Sequence, residues 1–410
     1  MGIEQMAERK KLRLGFIGLG QATAHVLGEL KLAADLPWVI AAAADPRAHS
    51  TAAFQAEFGG QVYADAEELC RQSDVDVVYI ATPPWMHLDH TLAAVKYGKH
   101  VIVEKPMALS LADCQTMVAA AKQAGVKLLA GHTHSFDAPI QKISELVASE
   151  TYGPLRMINS WNFNEFNHRP RLISELEANH GPVLNQGPHQ VDVVRQIGGG
   201  RVKSVRATTI HDGVTGVEGG YSVFLQFESG VPATLVYDGR SLFDTAELFW
   251  WIGEGGQARD PHLNAKRRAA YLELAALPKD QRQRRLDADK EKGRYGAAAD
   301  GHGAKPYGDS VARNQPFFGL VMVSCEHATI RQSPAGLLIY GKRGKEELAI
   351  EHRLRGRLAE LNEMYRGIVE NRPLVHDGAW GMATLEVCYA ILDSAKTGRE
   401  ILMRHQVAAV

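Results

Sequence analysis

The sequence has only four cysteines in 410 residues, and it has no long hydrophobic run. The cysteines, Cys70, Cys114, Cys325 and Cys388, stand far apart and form no CxxC pair, which argues against a disulfide framework and a zinc finger. No apolar stretch approaches the roughly 18 residues that span a bilayer, and the N-terminus has no hydrophobic signal core. We therefore expect a cytoplasmic protein that is neither secreted nor integral to a membrane.

An excess of charge of one sign is also missing. The chain has 46 Lys and Arg against 47 Asp and Glu, a formal net charge of −1, which argues against a nucleic-acid or membrane-surface protein. With 45% hydrophobic and 23% charged residues, the composition is that of an ordinary globular protein. At roughly 100 to 200 residues per domain, the length predicts two domains.

Short apolar runs alternate with helix-length segments in the first third of the chain. Continuous apolar runs are typical of strands that are buried on both faces, and the helices between them are the crossovers that a parallel sheet needs. The pattern predicts an α/β domain over residues 1–133 with a Rossmann, doubly wound parallel sheet. The strands are expected at residues 12–20, 38–45, 75–82, 100–105 and 126–131, with helices such as 87–97 and 110–124.

After about residue 135 the strands become closely spaced and are joined by Gly-containing turns, which is typical of an antiparallel sheet. We predict a second, α+β domain over residues 134–410, with a mainly antiparallel open sheet, that binds substrate and forms oligomers. Because its helices can cover only one face of the sheet, the other face predicts a homodimer or homotetramer. The strands are expected at 202–210, 220–228, 232–239 and 247–254, and the helices at 136–149, 188–196, 356–370 and 380–395.

Residues 257–313 interrupt this pattern as a basic insertion. The stretch has 13 Lys and Arg against 8 Asp and Glu, a net charge of +5. Charge runs usually face water, which predicts a solvated helical excursion with a Gly-rich loop. The alternative is a lid or subunit arm that brings positive charge to an anionic substrate.

A glycine turn lies between the first predicted strand and helix. Gly18 permits a tight turn, and Gly20 lets the backbone approach a pyrophosphate. Gln21 and Ala22 open the helix, whose N-terminus supplies free N–H groups and a positive dipole end. Thr23 stands where a third small residue is usual. The turn predicts a dinucleotide site.

Acidic and basic residues end the second predicted strand. Asp45, about 25 residues beyond the glycines, is placed to accept hydrogen bonds from the adenosine ribose hydroxyls, which favours NAD. Arg47 could instead attract the 2′-phosphate of NADP, which we regard as the less favoured cofactor. Both residues are therefore predicted to contact the cofactor.

Two further turns are expected at the same edge of the sheet. Thr82 and Pro83 end the strand over 75–82, and His87 follows them; open parallel sheets bind ligands at this edge. Glu104 and Lys105 end the strand over 100–105. Oxidation of an alcohol needs an acceptor for the hydroxyl proton, and desolvation can lower the pKa of a lysine into a useful range. We therefore predict Lys105 as the catalytic base. The residues predicted to contact the cofactor at these two turns are Thr82, Pro83, His87, Glu104 and Lys105.

Four segments carry a family resemblance. GLGQAT, ATPPWMH, VEKP and the terminal DGAWGMATLEVCYAILDSAKTGREI are similar to motifs of the Gfo/Idh/MocA family of NAD(P)-dependent oxidoreductases, over both domains except the insertion. The resemblance implies that Lys105 lies near the nicotinamide and the substrate. It also implies that HGPVLNQGPHQVD supplies further catalytic residues. His189 and Asp192 match that motif, whereas Asn185 replaces the usual aspartate and cannot accept a proton.

Within the family, the sequence most resembles the dehydrogenases that oxidise the cis-4,5-dihydrodiol of phthalate to 4,5-dihydroxyphthalate. That resemblance implies a dianionic substrate and an aromatisation that drives the reaction. Two alternatives stay open: a sugar or cyclitol dehydrogenase of the same family, and a non-catalytic NAD-binding sensor. No metal site is expected, because the histidine pairs have no completing cysteine or carboxylate cluster. The residues predicted to contact substrate are His134, Trp161, Arg169, Arg171, Arg267 and Arg268.

Overall fold

A computed structural model describes residues 10–33, 36–131, 133–169, 177–213, 216–292, 294–296, 314–351, 354 and 356–409. These residues form two compact units. The first contains the described residues up to 131, together with those of 291–296 and 360–378, and the second contains the others. Among the described helices, none is long and apolar enough to cross a bilayer.

The first unit is built on a six-stranded sheet in the order β3-β2-β1-β4-β5-β6, with every pair parallel. This arrangement confirms the predicted Rossmann, doubly wound sheet. The side chain of Ser110 accepts a hydrogen bond from the N–H of Asp113 at 3.0 Å and caps the fifth helix. The elements are β1 Leu12–Ile17, α1 Gln21–Leu32, β2 Trp38–Ala44, α2 Ala48–Phe58, β3 Gln61–Tyr63, α3 Ala66–Gln72, β4 Val77–Ile80, α4 His87–Lys96, β5 His100–Glu104, α5 Leu111–Ala124 and β6 Leu128–Gly131.

The second unit is built on a nine-stranded sheet in the order β14-β13-β12-β11-β7-β10-β9-β8-β15, in which only the β7–β10 pair is parallel among the described strand pairs. It confirms the predicted α+β class. The elements after residue 131 are α6 Ala138–Ala148, β7 Leu155–Phe163, α7 Pro182–Asn185, α8 Gly187–Ile197, β8 Val202–His211, β9 Glu218–Phe227, β10 Pro232–Asp238, α9 Leu263–Ala275, α10 Lys279–Lys292, β11 Leu320–Cys325, β12 Ala328–Gln332, β13 Gly336–Gly341, β14 Gly344–Ala349, α11 Gly356–Val369, α12 Gly378–Thr397 and β15 Ile401–Leu402.

The two units do not follow the single boundary predicted after residue 133. The N–H of Ala130 in β6 donates to the carbonyl of His376 at 2.9 Å, and the ring of Trp38 in β2 packs on Tyr365 of α11 at 6.3 Å. Late segments of the chain therefore complete the first unit. A boundary drawn from local strand and helix patterns cannot show such a return.

Helices cover one face of the nine-stranded sheet. The other, here called the open face, is partly covered by residues Thr245–Phe249, which pack against Leu320 and Met322 of β11. Helix α8 packs on the covered face, where the Gln190 amide donates to the Ser160 hydroxyl at 3.0 Å. Strand β9 alternates accordingly, with Leu225 buried and Phe224 half exposed. The open face carries exposed large apolar side chains, namely Met157, Trp161, Ile210, Phe224 and Tyr340.

The strand predicted at residues 247–254 is wrong. Asp244 accepts a hydrogen bond from the N–H of Ala246 at 3.0 Å, and residues Thr245–Phe249 form a 3₁₀ turn. Trp250 and Trp251 then have φ of 59° and 53°, a backbone conformation that no strand can continue. The large apolar residues of this stretch therefore belong to a turn and not to a strand.

Candidate functional site

The glycine turn has the shape that a dinucleotide site requires. Gly18 has φ of 91°, and a Cβ there would lie 2.9 Å from the carbonyl oxygen of Ala81. The hydroxyl of Thr23 donates to the carbonyl of Gly18 at 2.5 Å, so the residue that departs from the usual motif braces the turn. Gly20 precedes α1, whose first N–H groups have no partner within the helix and suit a phosphate. These residues fit a bound dinucleotide.

Asp45 is held at the end of β2 by the turn and by its neighbour. Its carboxylate accepts from the N–H of Leu19 at 2.7 Å and from the guanidinium of Arg47 at 2.6 and 2.8 Å. Burial acts to raise the pKa of Asp45, but the hydrogen bonds from Arg47 and Leu19 hold it below its ordinary value. The carboxylate is therefore ionised and placed beside a guanidinium.

This pairing predicts the outcome of removing Asp45. In Asp45→Ala, Arg47 loses its carboxylate partner and becomes available to a 2′-phosphate, so the ratio of kcat/KM for NAD over NADP should fall by about tenfold or more. The double variant Asp45→Ala/Arg47→Ala should lose the gain in NADP use. Steady-state kinetics with both cofactors measures the ratio. A wild-type protein that uses NADP better than NAD would overturn the cofactor preference.

The turn after β4 brings Thr82 and Pro83 to the same edge, whereas His87 points into the unit. The imidazole is fully buried, and both of its ring nitrogens face backbone carbonyls. Thr82 packs against the glycine turn, because a Cβ on Gly18 would lie 3.0 Å from its methyl group. Thr82 and Pro83 thus keep their predicted position at the cofactor edge, and the ring of His87 contacts the protein backbone.

Glu104 is the last residue of β5, and Lys105 follows it. Glu104 is buried, and its carboxylate accepts from the hydroxyl of Tyr79 at 2.8 Å. That hydroxyl also lies 3.5 Å from a carboxylate oxygen of Glu360. Lys105 follows β5 and is half buried. Glu104 therefore serves the interior of the first unit, and Lys105 stays the predicted base.

In the second unit, two predicted histidines meet. The rings of His134 and His189 are 5.0 Å apart, edge to face, and Phe318 stacks on His134 at 4.6 Å. The Nδ1 of His134 lies 3.0 Å from a carboxylate oxygen of Asp137. Phe318 also lies 5.2 Å from His189 and closes the group. The structure thus brings a predicted catalytic residue and a predicted substrate contact together.

The other residues of the helical motif have different surroundings. Asn185 is half buried, and its amide oxygen accepts from the side chain of Gln186 at 2.7 Å. Asp192 is fully buried and accepts from the indole N–H of Trp380 at 2.5 Å and from the hydroxyl of Thr384 at 2.8 Å. Asp192 therefore joins α8 to α12.

Sequence reasoning missed Glu165, which lies at the centre of the predicted arginines. Its fully buried carboxylate contacts the guanidiniums of Arg169 at 3.2 Å, Arg259 and Arg267. Burial acts to raise the pKa of Glu165, but these three charges lower it to about 2. Its position within a mixed aromatic and amide segment, WNFNEFNHRP, was the available signal.

A second missed residue, Glu254, links the arginines to the histidines. A carboxylate oxygen of Glu254 lies 3.6 Å from the Nη2 of Arg169. Burial acts to raise the pKa of Glu254, but the charges of Arg169, His134 and Arg259 lower it. A carboxylate therefore already occupies the place where these cations converge.

Of the remaining predicted substrate contacts, the structure describes Trp161 and Arg268. Trp161 points to the open face of the sheet, opposite the face on which Ser160 contacts the helix of His189. Arg268 is exposed on α9, and Arg171 lies outside the described residues. Over the described ranges, no three His, Cys, Asp or Glu side chains are grouped as a metal ion would need.

The described part of the basic insertion is two helices, α9 and α10, followed by residues 294–296. Tyr295 is buried in the first unit, where its carbonyl accepts from the hydroxyl of Ser50 in α2 at 2.9 Å. Most of the described cations have acidic partners, which reduces the positive charge that the insertion presents. The paired cations are Arg259, Lys266, Arg267, Arg284, Arg285 and Arg294.

Both parts of the chain match family models. Residues 12–132 match the model described as oxidoreductase family, NAD-binding Rossmann fold, and residues 140–259 match the model of the GFO/IDH/MocA C-terminal domain. The two matched stretches together make up more than half of the chain. The first match shows an NAD-binding domain, and the glycine turn lies within the matched residues.

Individual relatives resemble the chain over most of its length. A Comamonas testosteroni protein described as 1-carboxy-3-chloro-3,4-dihydroxycyclohexa-1,5-diene dehydrogenase is 35% identical, over 94% of this chain and 95% of its own. Myo-inositol 2-dehydrogenase of Thermotoga maritima is 28% identical, over 60% of this chain and 74% of its own. A crystal structure from Bordetella bronchiseptica RB50, provisionally described as a dehydrogenase, has a TM-score of 0.84 at 33% identity and covers 96% of this chain and 100% of its own.

Proposed function

The chain belongs to the Gfo/Idh/MocA oxidoreductase family, and on that premise we propose that it oxidises a carboxylated cis-dihydrodiol. It is an NAD-dependent dehydrogenase that acts on dihydrodiol or sugar-like substrates. Within that class we propose 4,5-dihydro-4,5-dihydroxyphthalate as substrate and 4,5-dihydroxyphthalate as product. The observation that carries the proposal is the 35% identity to a relative whose name gives a substrate with one carboxyl group and two ring hydroxyls.

The charges of the second unit support a carboxylated substrate. We propose Arg169 as the contact of the substrate carboxylate, because its 3.6 Å contact with Glu254 is longer than a hydrogen bond. A substrate carboxylate could replace Glu254 on Arg169, with His134 close by. Arg267 is bound to Glu165 and Arg268 is exposed, so we propose that these two act through long-range charge.

The proposed chemistry assigns one step to each residue. The glycine turn and Asp45 would hold NAD, which would supply the acceptor for the hydride of a carbinol carbon of the diol. Lys105 takes the proton that the hydroxyl of that carbon releases, and the carbon becomes a ketone. The ketone then tautomerises: the ring carbon that bears the second hydroxyl loses its proton, the carbonyl oxygen gains a proton, and the product is a catechol. Aromatisation drives this step. His189 positions the second hydroxyl, and Asn185 can donate or accept a hydrogen bond but cannot take the proton.

A panel of substrates tests this proposal. NAD reduction should be fastest with carboxylated dihydrodiols, slower with an uncarboxylated dihydrodiol and slowest with myo-inositol. Arg169→Gln should raise KM for the carboxylated substrate by about 10- to 100-fold, the worth of a charged hydrogen bond, and leave KM for the uncarboxylated one unchanged.

Arg240→Gln is the matched control, because Arg240 pairs with Asp212 at 2.6 Å and not with Glu165 or Glu254. It should change neither KM. A preference for myo-inositol over every dihydrodiol would establish the alternative function, a cyclitol dehydrogenase, which the similarity to myo-inositol 2-dehydrogenase favours. No observation favours a non-catalytic NAD sensor.

We also propose that the open face of the nine-stranded sheet forms a homodimer or homotetramer interface. Its exposed apolar residues, such as Trp161 and Phe224, lie on one face, and an apolar sheet face is commonly buried by a second copy. Sedimentation showing only monomer at micromolar concentration would rule this interface out.

A cytoplasmic location stays a prediction; the four cysteines are buried free thiols.

A further inference from the structure

One buried imidazole lies between two turns of the first unit. The Nε2 of His87 lies 2.9 Å from the carbonyl oxygen of Thr82, in the turn after β4. Its Nδ1 lies 3.0 Å from the carbonyl oxygen of Pro106 and 3.3 Å from that of Met107, in the turn that begins at Lys105. The ring is fully buried. A single side chain therefore bridges the turn at the cofactor edge and the turn that carries the proposed base.

The ring has only one proton to donate near neutral pH. Burial lowers the pKa of His87 to about 4, although the carbonyls of Thr82, Pro106 and Met107 act in the opposite direction. The charge of His90, on the same helix, also acts to lower it. A neutral imidazole donates from one nitrogen and presents a lone pair at the other.

The surrounding carbonyls decide between the two tautomers. With the proton on Nε2, the lone pair of Nδ1 would face the carbonyls of both Pro106 and Met107. With the proton on Nδ1, only the carbonyl of Thr82 faces a lone pair. The second arrangement has fewer repulsive contacts between acceptors, so the geometry favours a proton on Nδ1.

We propose that His87 is a positioning residue for Lys105, with its Nδ1–H donating to the carbonyl of Pro106 and holding the turn that Lys105 begins. The proposal rests on the proposed function, in which Lys105 accepts the substrate proton. His87 acts through the backbone of that turn. Loss of this bond should lower turnover by misplacing the base, since a displacement of about 1 Å can cost about 100-fold in rate.

Two amide variants separate the two bonds. The amide nitrogen of Asn is as many bonds from Cα as Nδ1 of His, and that of Gln is as many as Nε2. His87→Asn should therefore keep the bond to Pro106 and a kcat within about threefold of wild type. His87→Gln and His87→Ala should lower kcat by up to about 100-fold. All rates are expressed per folded active site, counted by NAD binding, and the dissociation constant of NAD should change less than threefold.

The pH profile distinguishes positioning from a merely structural role. In His87→Ala and His87→Gln the acidic limb of the kcat profile, which reports the proposed base, should shift, whereas in His87→Asn it should stay in place. His90→Ala is the matched control. Among the hydrogen bonds of the described residues, the ring of His90 takes part in one, between its Nδ1 and the hydroxyl of Thr82 at 3.0 Å. His90→Ala should leave the limb unmoved.

Three results would overturn the proposal. A His87→Gln variant with the wild-type rate beside an inactive His87→Asn would show that the bond to Thr82 is the one that matters. An unmoved limb with fewer folded sites in every variant would show a structural role only. Wild-type turnover per site in all three variants would show no role. If Lys105→Ala itself is fully active, the proposed function fails separately, whatever the His87 variants do.

Discussion

Replacement of Lys105 by alanine should lower kcat by about 10²- to 10⁴-fold, the usual cost of losing a general base. The structure leaves Lys105 half buried at the end of β5, while its neighbour Glu104 turns inward to Tyr79. Lys105 is one of several predicted cofactor contacts, and the glycine turn and Asp45 keep theirs in the variant, so the dissociation constant of NAD should stay within a few-fold of wild type. Stopped-flow NADH formation and a binding titration measure the two quantities separately.

Two controls make this result specific to the base. Lys96→Ala removes an exposed lysine of α4 that pairs with Glu67 at 2.7 Å, and it should leave kcat unchanged. Small primary amines added to Lys105→Ala should restore part of the rate, because they can take the proton in the vacated space. Turnover within a few-fold of wild type in Lys105→Ala would place the base elsewhere, with His189 as the next residue to test.

Replacement of Asp192 by alanine should destabilise the second unit by about 3 kcal/mol, because it breaks a buried charged network. Arg195 is fully buried beside it, stacks over the ring of Trp380 at 3.9 Å and donates to the hydroxyl of Thr384 at 2.7 Å. Burial lowers the pKa of Arg195 to about 10, and the charge of Asp192 opposes that shift. Without Asp192 the guanidinium would lose one of its nearby countercharges and keep that of Glu386.

Thermal unfolding followed by tryptophan fluorescence measures this effect. Glu228→Ala is the matched control, since Glu228 pairs with Arg201 at 3.7 Å on the surface and should contribute less than about 1 kcal/mol. Asp192→Asn keeps an acceptor for Trp380 but loses the charge. Its unfolding temperature should lie between those of Asp192→Ala and Glu228→Ala. Equal unfolding temperatures for Asp192→Ala and Glu228→Ala would contradict a structural role for the buried network.

The parallel sheet could be predicted because its signal is local. Strand β4, Val77–Ile80, is buried at every position, and a strand buried on both faces must be apolar throughout. The second sheet was predicted only in part. Strands β7 and β11–β14 were not predicted. Trp161 was therefore placed at the substrate, whereas register puts it on the open face.

The glycine turn, Asp45 and Lys105 could be predicted as site residues from the sequence alone, because each lies directly after a strand whose pattern is visible. The glycine turn, Asp45 and Lys105 need only the order of β1, β2 and β5 to reach one edge. What tertiary structure decided is which charges meet. The carboxylate of Glu165 contacts the arginines at positions 169, 259 and 267. The ring of His134 contacts that of His189, which lies 55 positions later in the sequence. Such contacts depend on the packing of distant segments, and no local pattern of side chains records them.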